Sequence, residues 1–410
     1  MTVQTSSISE KAAHVHAGRL VLILGSLTAL GPLSVDMYLP AFPNMASTLG
    51  TNLSSVETSL ASYFAGLSFG QLFYGPLADR YGRKGPLLIG LAIYALASVA
   101  CAMAQSIEAV IALRFMQALG ACGGMVIPRA IVRDRFEHQE SARIFSLLML
   151  IMGVAPILAP LLGGYFSLNF GWRSIFWFLV AFSSLAIVGA GMFLPETHGA
   201  HPEHKMKGSF STFGRILRDR EFLRYTLSGS IAQAGMFAYI TGSPFVFIEY
   251  FGIPADKFGW VFGSNALGLI AVSQLNARLL RTFSYEKILT VAIRIVAVAG
   301  TLLMIAGVAN AGLWAVMIPL FLYVATLGAT FPNAAAGALA SQGRNAGSAS
   351  AMLGTLQMMA ASLASFILSK MHATSAAPMT VIVGVCGLLS LLIFTLMKKP
   401  QESKEDIAAG

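Results

Sequence analysis

Residues Leu20 to Phe42 read Leu-Val-Leu-Ile-Leu-Gly-Ser-Leu-Thr-Ala-Leu-Gly-Pro-Leu-Ser-Val-Asp-Met-Tyr-Leu-Pro-Ala-Phe. The run is apolar almost throughout. It is long enough to cross a bilayer as a helix, which takes roughly 20 residues. Its one charge is Asp36, within Val35-Asp36-Met37-Tyr38-Leu39-Pro40. A carboxylate at that depth is expensive and marks a functional site by default; the plainer reading is a hydrated cap close to the outer surface. By spacing, no other carboxylate of the chain is expected as far inside an apolar run.

Working outward, 56% of the 410 residues are hydrophobic and only 11% charged, with a mean hydropathy of +0.71. A soluble domain of this length could not hide so much apolar surface, so the chain reads as a polytopic, all-α membrane protein. The net charge of +9 does not point to nucleic acid, because Lys and Arg fall in short gaps between apolar runs rather than in patches. Cys101, Cys122 and Cys386 all lie inside such runs, which argues against a disulfide framework or a paired-cysteine metal site. The first run is too long for a signal core, so no cleavable signal is expected.

Twelve apolar runs are legible, at 20–42, 57–77, 86–105, 107–128, 142–166, 174–194, 223–247, 258–280, 286–309, 312–338, 347–370 and 378–397. Without water to satisfy the backbone, runs of this length must be helices. The expected organisation is a tail at 1–17, a six-helix half at 18–194, a polar linker at 195–221, a second six-helix half at 222–397 and a tail at 398–410. Arg and Lys crowd one set of loops: Arg80, Arg83, Lys84, Arg129, Arg133, Arg135 and Arg143, then Lys205 to Arg224 in the linker region, and Arg278, Arg281, Lys287, Arg344, Lys398 and Lys399. By the positive-inside rule both termini and the linker are cytoplasmic. Arg294, near the inner face of the ninth run, reads as snorkelling. In the linker, His198, His201 and His204 have a regular spacing, but Pro202 interrupts any helix that would align them, and a solvated segment is the expected reading. The halves are related: aligning Gly25 with Gly229 puts Ser26, Gly31 and Pro40 on Ser230, Gly235 and Pro244, whereas Asp36 falls on Ile240. Parallel repeats of this kind mark transporters whose site lies between the halves. The acid itself belongs to one half only.

Gly75-Pro-Leu-Ala-Asp79-Arg80-Tyr81-Gly82-Arg83-Lys84 lies in the basic loop after the second run. Two turn glycines and a positive-inside loop would account for its composition alone, but the whole string closely resembles the signature Gly-x-Leu-Ala-Asp-Arg-x-Gly-Arg-Lys of the major facilitator superfamily. That resemblance implies a twelve-helix fold and an inner gate of Asp79 and Arg83 with an acid at the end of the fourth helix, here Asp134. On the fourth run, Arg114-Phe-Met-Gln117-Ala118-Leu-Gly120 puts Arg114 about 10 Å deep, the level expected for Asp36 (roughly 9 Å), at 1.5 Å per residue. Opposite charges at one depth suggest a buried pair or relay; the plainer reading is a snorkelling anchor. The string is similar to the family's Arg-x-x-Gln-Gly-x-Gly motif, with Ala118 in place of one glycine, and the resemblance implies proton transfer by Asp36 and Arg114.

Gly153, Pro156, Pro160, Gly163 and Gly164 on the fifth run allow kinking and close packing. Ala159-Pro160-Leu-Leu-Gly163-Gly164 resembles the antiporter motif Gly-Pro-x-x-Gly-Gly of exporters. Together with Arg129-Ala-Ile-Val-Arg133-Asp134 and Gly171-Trp172-Arg173, these motifs resemble the Bcr/CflA-type multidrug efflux transporters. The resemblance implies a monomeric, multi-pass protein of the bacterial inner membrane, with lipids, protons and amphipathic drugs as partners and antibiotic resistance as outcome. Softer pocket candidates are Tyr38, Gln117, Gln233, Tyr239, Asn265, Gln357, Met358 and Met359. No Walker loop, metal cluster or catalytic triad is present in the sequence, so neither enzyme chemistry nor a cofactor is expected and the proton gradient is the expected energy source. The alternatives are a proton symporter importing a small polar metabolite on the same fold, and a membrane enzyme or receptor.

Overall fold

The computed structural model describes residues 3–136, 138–197, 212–371 and 374–397. His198, His201 and His204, and Lys205, Lys207, Lys398 and Lys399, lie outside the described residues. Among the described residues, twelve long helices follow one another: α1 (Val3–Asp36), α2 (Leu53–Tyr81), α3 (Lys84–Met103), α4 (Ile107–Arg135), α5 (His138–Phe170), α6 (Arg173–Phe193), α7 (Arg220–Ser243), α8 (Ala255–Leu279), α9 (Tyr285–Val308), α10 (Leu313–Ala340), α11 (Ala346–Lys370) and α12 (Ala377–Leu396). Among the described residues, eleven stretches are long and apolar enough to cross a membrane. α2 is of equal length but carries Ser, Thr, Gln and Glu57 along it and is less apolar.

The helix starts and stops follow local chemistry. Asn52 and Ser106 cap α2 and α4, their side chains accepting from the amides of Ser55 (2.8 Å) and Ala109 (3.3 Å). Gly82, at φ +85°, makes the tight turn between α2 and α3, a conformation open to glycine at little cost. The first apolar run was expected to continue as helix to Phe42. Instead α1 ends at Asp36, and a 3₁₀ turn (Leu39–Ala41) and a short helix (Phe42–Thr48) follow. The cause is Pro40, which has no amide to give the carbonyl of Asp36 and whose ring crowds it. At the matching place in the second half, Pro244 ends α7 and a π-helical turn, Pro244–Tyr250, takes over.

Packing repeats in the same way. α1 lies on α5, α2 on α4 and α3 on α6, as α7 lies on α11, α8 on α10 and α9 on α12. Contact between the two sets runs chiefly through α2 with α11 and α5 with α8. Small residues let the backbones approach: a side chain at Gly120 of α4 would strike the carbonyl of Gly90 and the amide of Tyr94 on α3.

At the basic-loop end, Asp219 caps α7 through the amides of Glu221 (2.9 Å) and Phe222 (3.1 Å) and accepts from Gln342 (2.7 Å). Burial alone would raise its pKa, but these hydrogen bonds and one from Ser341 outweigh it and hold the carboxyl below its usual range.

Candidate functional site

Asp36 is the last residue of α1 and is only 4% exposed. Among the described residues its side chain has no hydrogen bond and no ion pair. Its charge reaches the phenols of Tyr63 on α2 and Tyr239 on α7, so it sits between the two halves. The turn that follows, Leu39–Ala41, packs against α5, α7 and α8. Gly163 makes this approach possible, since a side chain there would collide with the carbonyl of Met37. On the same helix, Gly164 faces the backbone of Ala255 and Gly153 faces Ile270, both on α8. The small residues of α5 therefore serve two contacts, one with the end of α1 and one with the opposite half. Pro156 and Pro160 lie inside that helix.

Arg114 is fully buried, which removes the snorkelling reading. It also forms no ion pair with Asp36 among the described residues, in contrast to the expected pair. Its Nη2 donates to the carbonyl of Ser34 (2.9 Å) and its Nη1 to Gln117 Oε1 (2.6 Å). The guanidinium lies 4.1 Å from the ring centre of Tyr63 and 4.7 Å from that of Tyr38. Ser34 is in the last turn of α1, where carbonyls have no further helical amide and the helix dipole is negative. A helix end and two aromatic faces thus take the place of a carboxylate. Gln117 in turn donates to Ser98 (2.7 Å), and the hydroxyl of Tyr38 shares a hydrogen bond with Ser59 (2.8 Å). Tyr38 and Gln117 are thus tied into the interior of the first half by these hydrogen bonds.

At the basic-loop end, Arg83 Nη1 donates to Asp79 Oδ1 (2.7 Å) and Nε to Asp134 Oδ2 (2.9 Å). The structure brings together all three residues of the expected gate. The arginine is nearly buried (8% exposed) and Asp79 half exposed (50%), so the ion pair with Asp134 is the better shielded of the two. Glu196 was missed by sequence reasoning. It accepts from the amides of Arg83 (2.7 Å) and Lys84 (3.1 Å) and so caps the start of α3. Its only sequence signal is its place directly after the sixth apolar run.

In the second half, Asn265 Nδ2 donates to the hydroxyl of Tyr239 (3.1 Å), whose ring stacks on Phe262 at 5.6 Å. Asn265 Oδ1 and Gln233 Oε1 are buried acceptors with no hydrogen-bond partner among the described residues. Gln357 is partly buried and Met358 buried, but Met359 is 52% exposed and points away from the interior, as adjacent helix positions must diverge. Arg294 is exposed on α9. Burial is not confined to Asp36: Glu57 on α2, at the edge of its apolar run, is as buried, also 4% exposed. Its place at the very edge of the second run concealed this.

A family model described as Major Facilitator Superfamily matches residues 24–365. The chain is 36% identical to an uncharacterized MFS-type transporter, YdgK, of Bacillus subtilis (strain 168), over 93% of this chain and 96% of the relative. It is 31% identical to a bicyclomycin resistance protein homolog of Haemophilus influenzae, over 91% and 94%. The multidrug resistance protein MdtL of Escherichia coli O81 is 28% identical over 95% and 98%. Among solved structures, a D-xylose-proton symporter aligns with a TM-score of 0.75 at 14% identity, covering 95% of this chain and 99% of that one. The inward open conformation of the xylose transporter XylE from E. coli aligns at 0.70 and 16% identity, over 96% and 99%. At such identities the likeness shows the fold alone.

Proposed function

The chain belongs to the Major Facilitator Superfamily, a family of transporters, and on that premise we propose that it exports amphipathic small molecules across the inner membrane in exchange for protons. In this reading the basic-loop end faces the cytoplasm and both termini lie there, as the distribution of Lys and Arg favours.

The observation that carries the reading is Asp36: a buried acid between the halves, without a counter-charge among the described residues. An anion in that setting is costly. A proton relieves the cost, and so does a cationic group on a substrate. The two then compete for one carboxylate, and loading from opposite sides as the halves rock gives exchange. Arg114 does not neutralise Asp36; its role is to hold the end of α1, and hence Asp36, in place.

The second half supplies the other wall. The free acceptors Gln233 Oε1 and Asn265 Oδ1 suit substrates that carry N–H or O–H donors. The stacked Tyr239 and Phe262 and the adaptable Met358 suit flat apolar bodies. The names of the bicyclomycin and multidrug resistance relatives support export of drugs, and the antiporter-like string on α5 supports exchange over symport.

Asp36→Asn tests the reading. It is nearly isosteric but cannot carry a proton. The variant is expected to reach the membrane at the wild-type level, to fail to build a drug gradient in everted vesicles, and to release no protons on drug addition in detergent. Asp36→Glu is expected to retain part of both activities. Wild-type proton release from Asp36→Asn would move coupling to another residue. Drug uptake driven into cells by an inward proton gradient would instead favour the symporter.

A further inference from the structure

Glu57 lies on the face of α2 that closes the molecule on the side away from the basic loops. Helical spacing puts Glu57, Ala61, Phe64, Ser68 and Gln71 on one stripe. Each of the last four touches the opposite half. The Ala61 carbonyl accepts from Ser362 (2.9 Å), the Phe64 ring meets that of Phe237 at 4.6 Å, Ser68 donates to the Thr355 carbonyl (3.0 Å), and Gln71 abuts Gly354. Thr58, beside Glu57, donates to Ser369 (3.0 Å). Glu57 therefore occupies the outermost turn of the seam between α2 and α11, and it is buried there.

Among the described residues the surroundings offer no counter-charge. The charged group near enough to be felt at Glu57 is another acid, Glu249, on the turn that continues α7. α4 brings Glu108, exposed, and α11 brings Lys370, exposed with its ammonium over the Phe366 ring. Neither pairs with Glu57, and no hydrogen bond reaches its carboxyl among the described residues. The phenol of Tyr63 lies deeper, under Arg114, and that of Tyr250 donates to Asn310. The short helix Phe42–Thr48 and the adjoining parts of α3 and α7 carry no charged residue.

We propose that Glu57 is a second proton-binding residue of the transport cycle, holding a proton while the seam is closed and releasing it when the halves part on that side. The reason is differential solvation. A closed seam buries the group with nothing to pair it, so its anion opposes closure; an open seam hydrates it, and the anion is then tolerated. This rests on the reading of the chain as a proton-driven transporter only for its place in the cycle. The coupling between charge and closure follows from the seam itself.

The test follows the seam directly. Spin labels on Gln105→Cys and Thr374→Cys, exposed positions on the two halves at the closing end, are introduced after replacement of the three native cysteines. Their separation is measured by pulsed dipolar spectroscopy from pH 5.5 to 9. In the otherwise native protein the long-distance population is expected to grow as pH rises. In Glu57→Gln that growth is lost and the pH 5.5 distribution persists, whereas Glu57→Asp retains it. A Glu57→Gln protein that is monodisperse and opens with pH as the native one does would overturn the proposal. The native protein's proton-driven drug accumulation is measured in parallel. If that is present and the seam of Glu57→Gln still titrates, only this proposal falls. If that is absent while the seam responds through Glu57, only the exporter reading falls.

Discussion

Arg114 shows how a fully buried cation is kept without an acid beside it. Its partners are a carbonyl in the last turn of α1, an amide oxygen and two tyrosine rings. Arg114→Met would leave the Ser34 carbonyl and Gln117 Oε1 without donors, at about 1–3 kcal/mol for each buried group. A fall of several degrees in the melting temperature of the detergent-solubilised protein is the expected result. Arg114→Lys can reach one acceptor but not both in the planar fork geometry of a guanidinium, so an intermediate fall is expected. If Arg114→Met melted with the native protein, the arginine would be free of this structural task and its role would lie in transport alone. The sequence placed Arg114 and Asp36 at one expected depth, which suggested a pair. It could not show that α1 stops at Asp36 and turns its own carbonyls toward the arginine.

The same device recurs at the scale of elements. Arg173 donates to the Ala104 carbonyl at the end of α3 (2.8 Å), Lys84 to Gly191 in the last turn of α6 (2.8 Å), and Arg224 to Phe394 near the end of α12 (3.0 Å). Each cation meets the negative end of a helix. At the opposite extreme of size, α5 depends on having no side chain at particular positions. Gly163→Ala is expected to be the most damaging small change on α5, because its Cβ would meet the rigid backbone of Met37. Gly153→Ala meets only the tip of Ile270 at 3.0 Å, which can move. Overpacking of this kind costs typically 1–3 kcal/mol, so thermal melting should separate the two, with Gly163→Ala lower. Equal melting temperatures would mean that the end of α1 yields more easily than its packing implies. The antiporter-like string is thereby given a structural task that its sequence alone did not reveal.

For the whole molecule, the Asp79–Arg83–Asp134 cluster lies within one half, at the basic-loop end of α2, whereas Thr58, which meets Ser369, lies near the other end of that helix. Loss of one member should therefore shift the balance between open and closed forms and leave the pocket's chemistry unchanged. Asp79→Asn is expected to lower turnover by about tenfold, within the usual range of coupling energies, while drug affinity in the purified protein stays near the native value. Equal losses of affinity and turnover would show that the cluster shapes the pocket instead.

Composition and period were enough to outline the helices and their relation by repeat, because the hydrophobic demand of a bilayer is written locally in the chain; the residues of the Arg83 cluster were implied only by the resemblance of the loop string to a family signature. The packing repeats with the same order, α1 on α5 and α7 on α11. The stop of α1 at Pro40 is local chemistry that a count of apolar letters passes over. Two features were decided only by tertiary structure. Glu57 is buried by residues some three hundred positions away, such as Ser362 and Ser369, so no window around it could report the burial. The partnership of Arg114 with a helix end depends on a backbone carbonyl, which every residue possesses and no sequence pattern singles out.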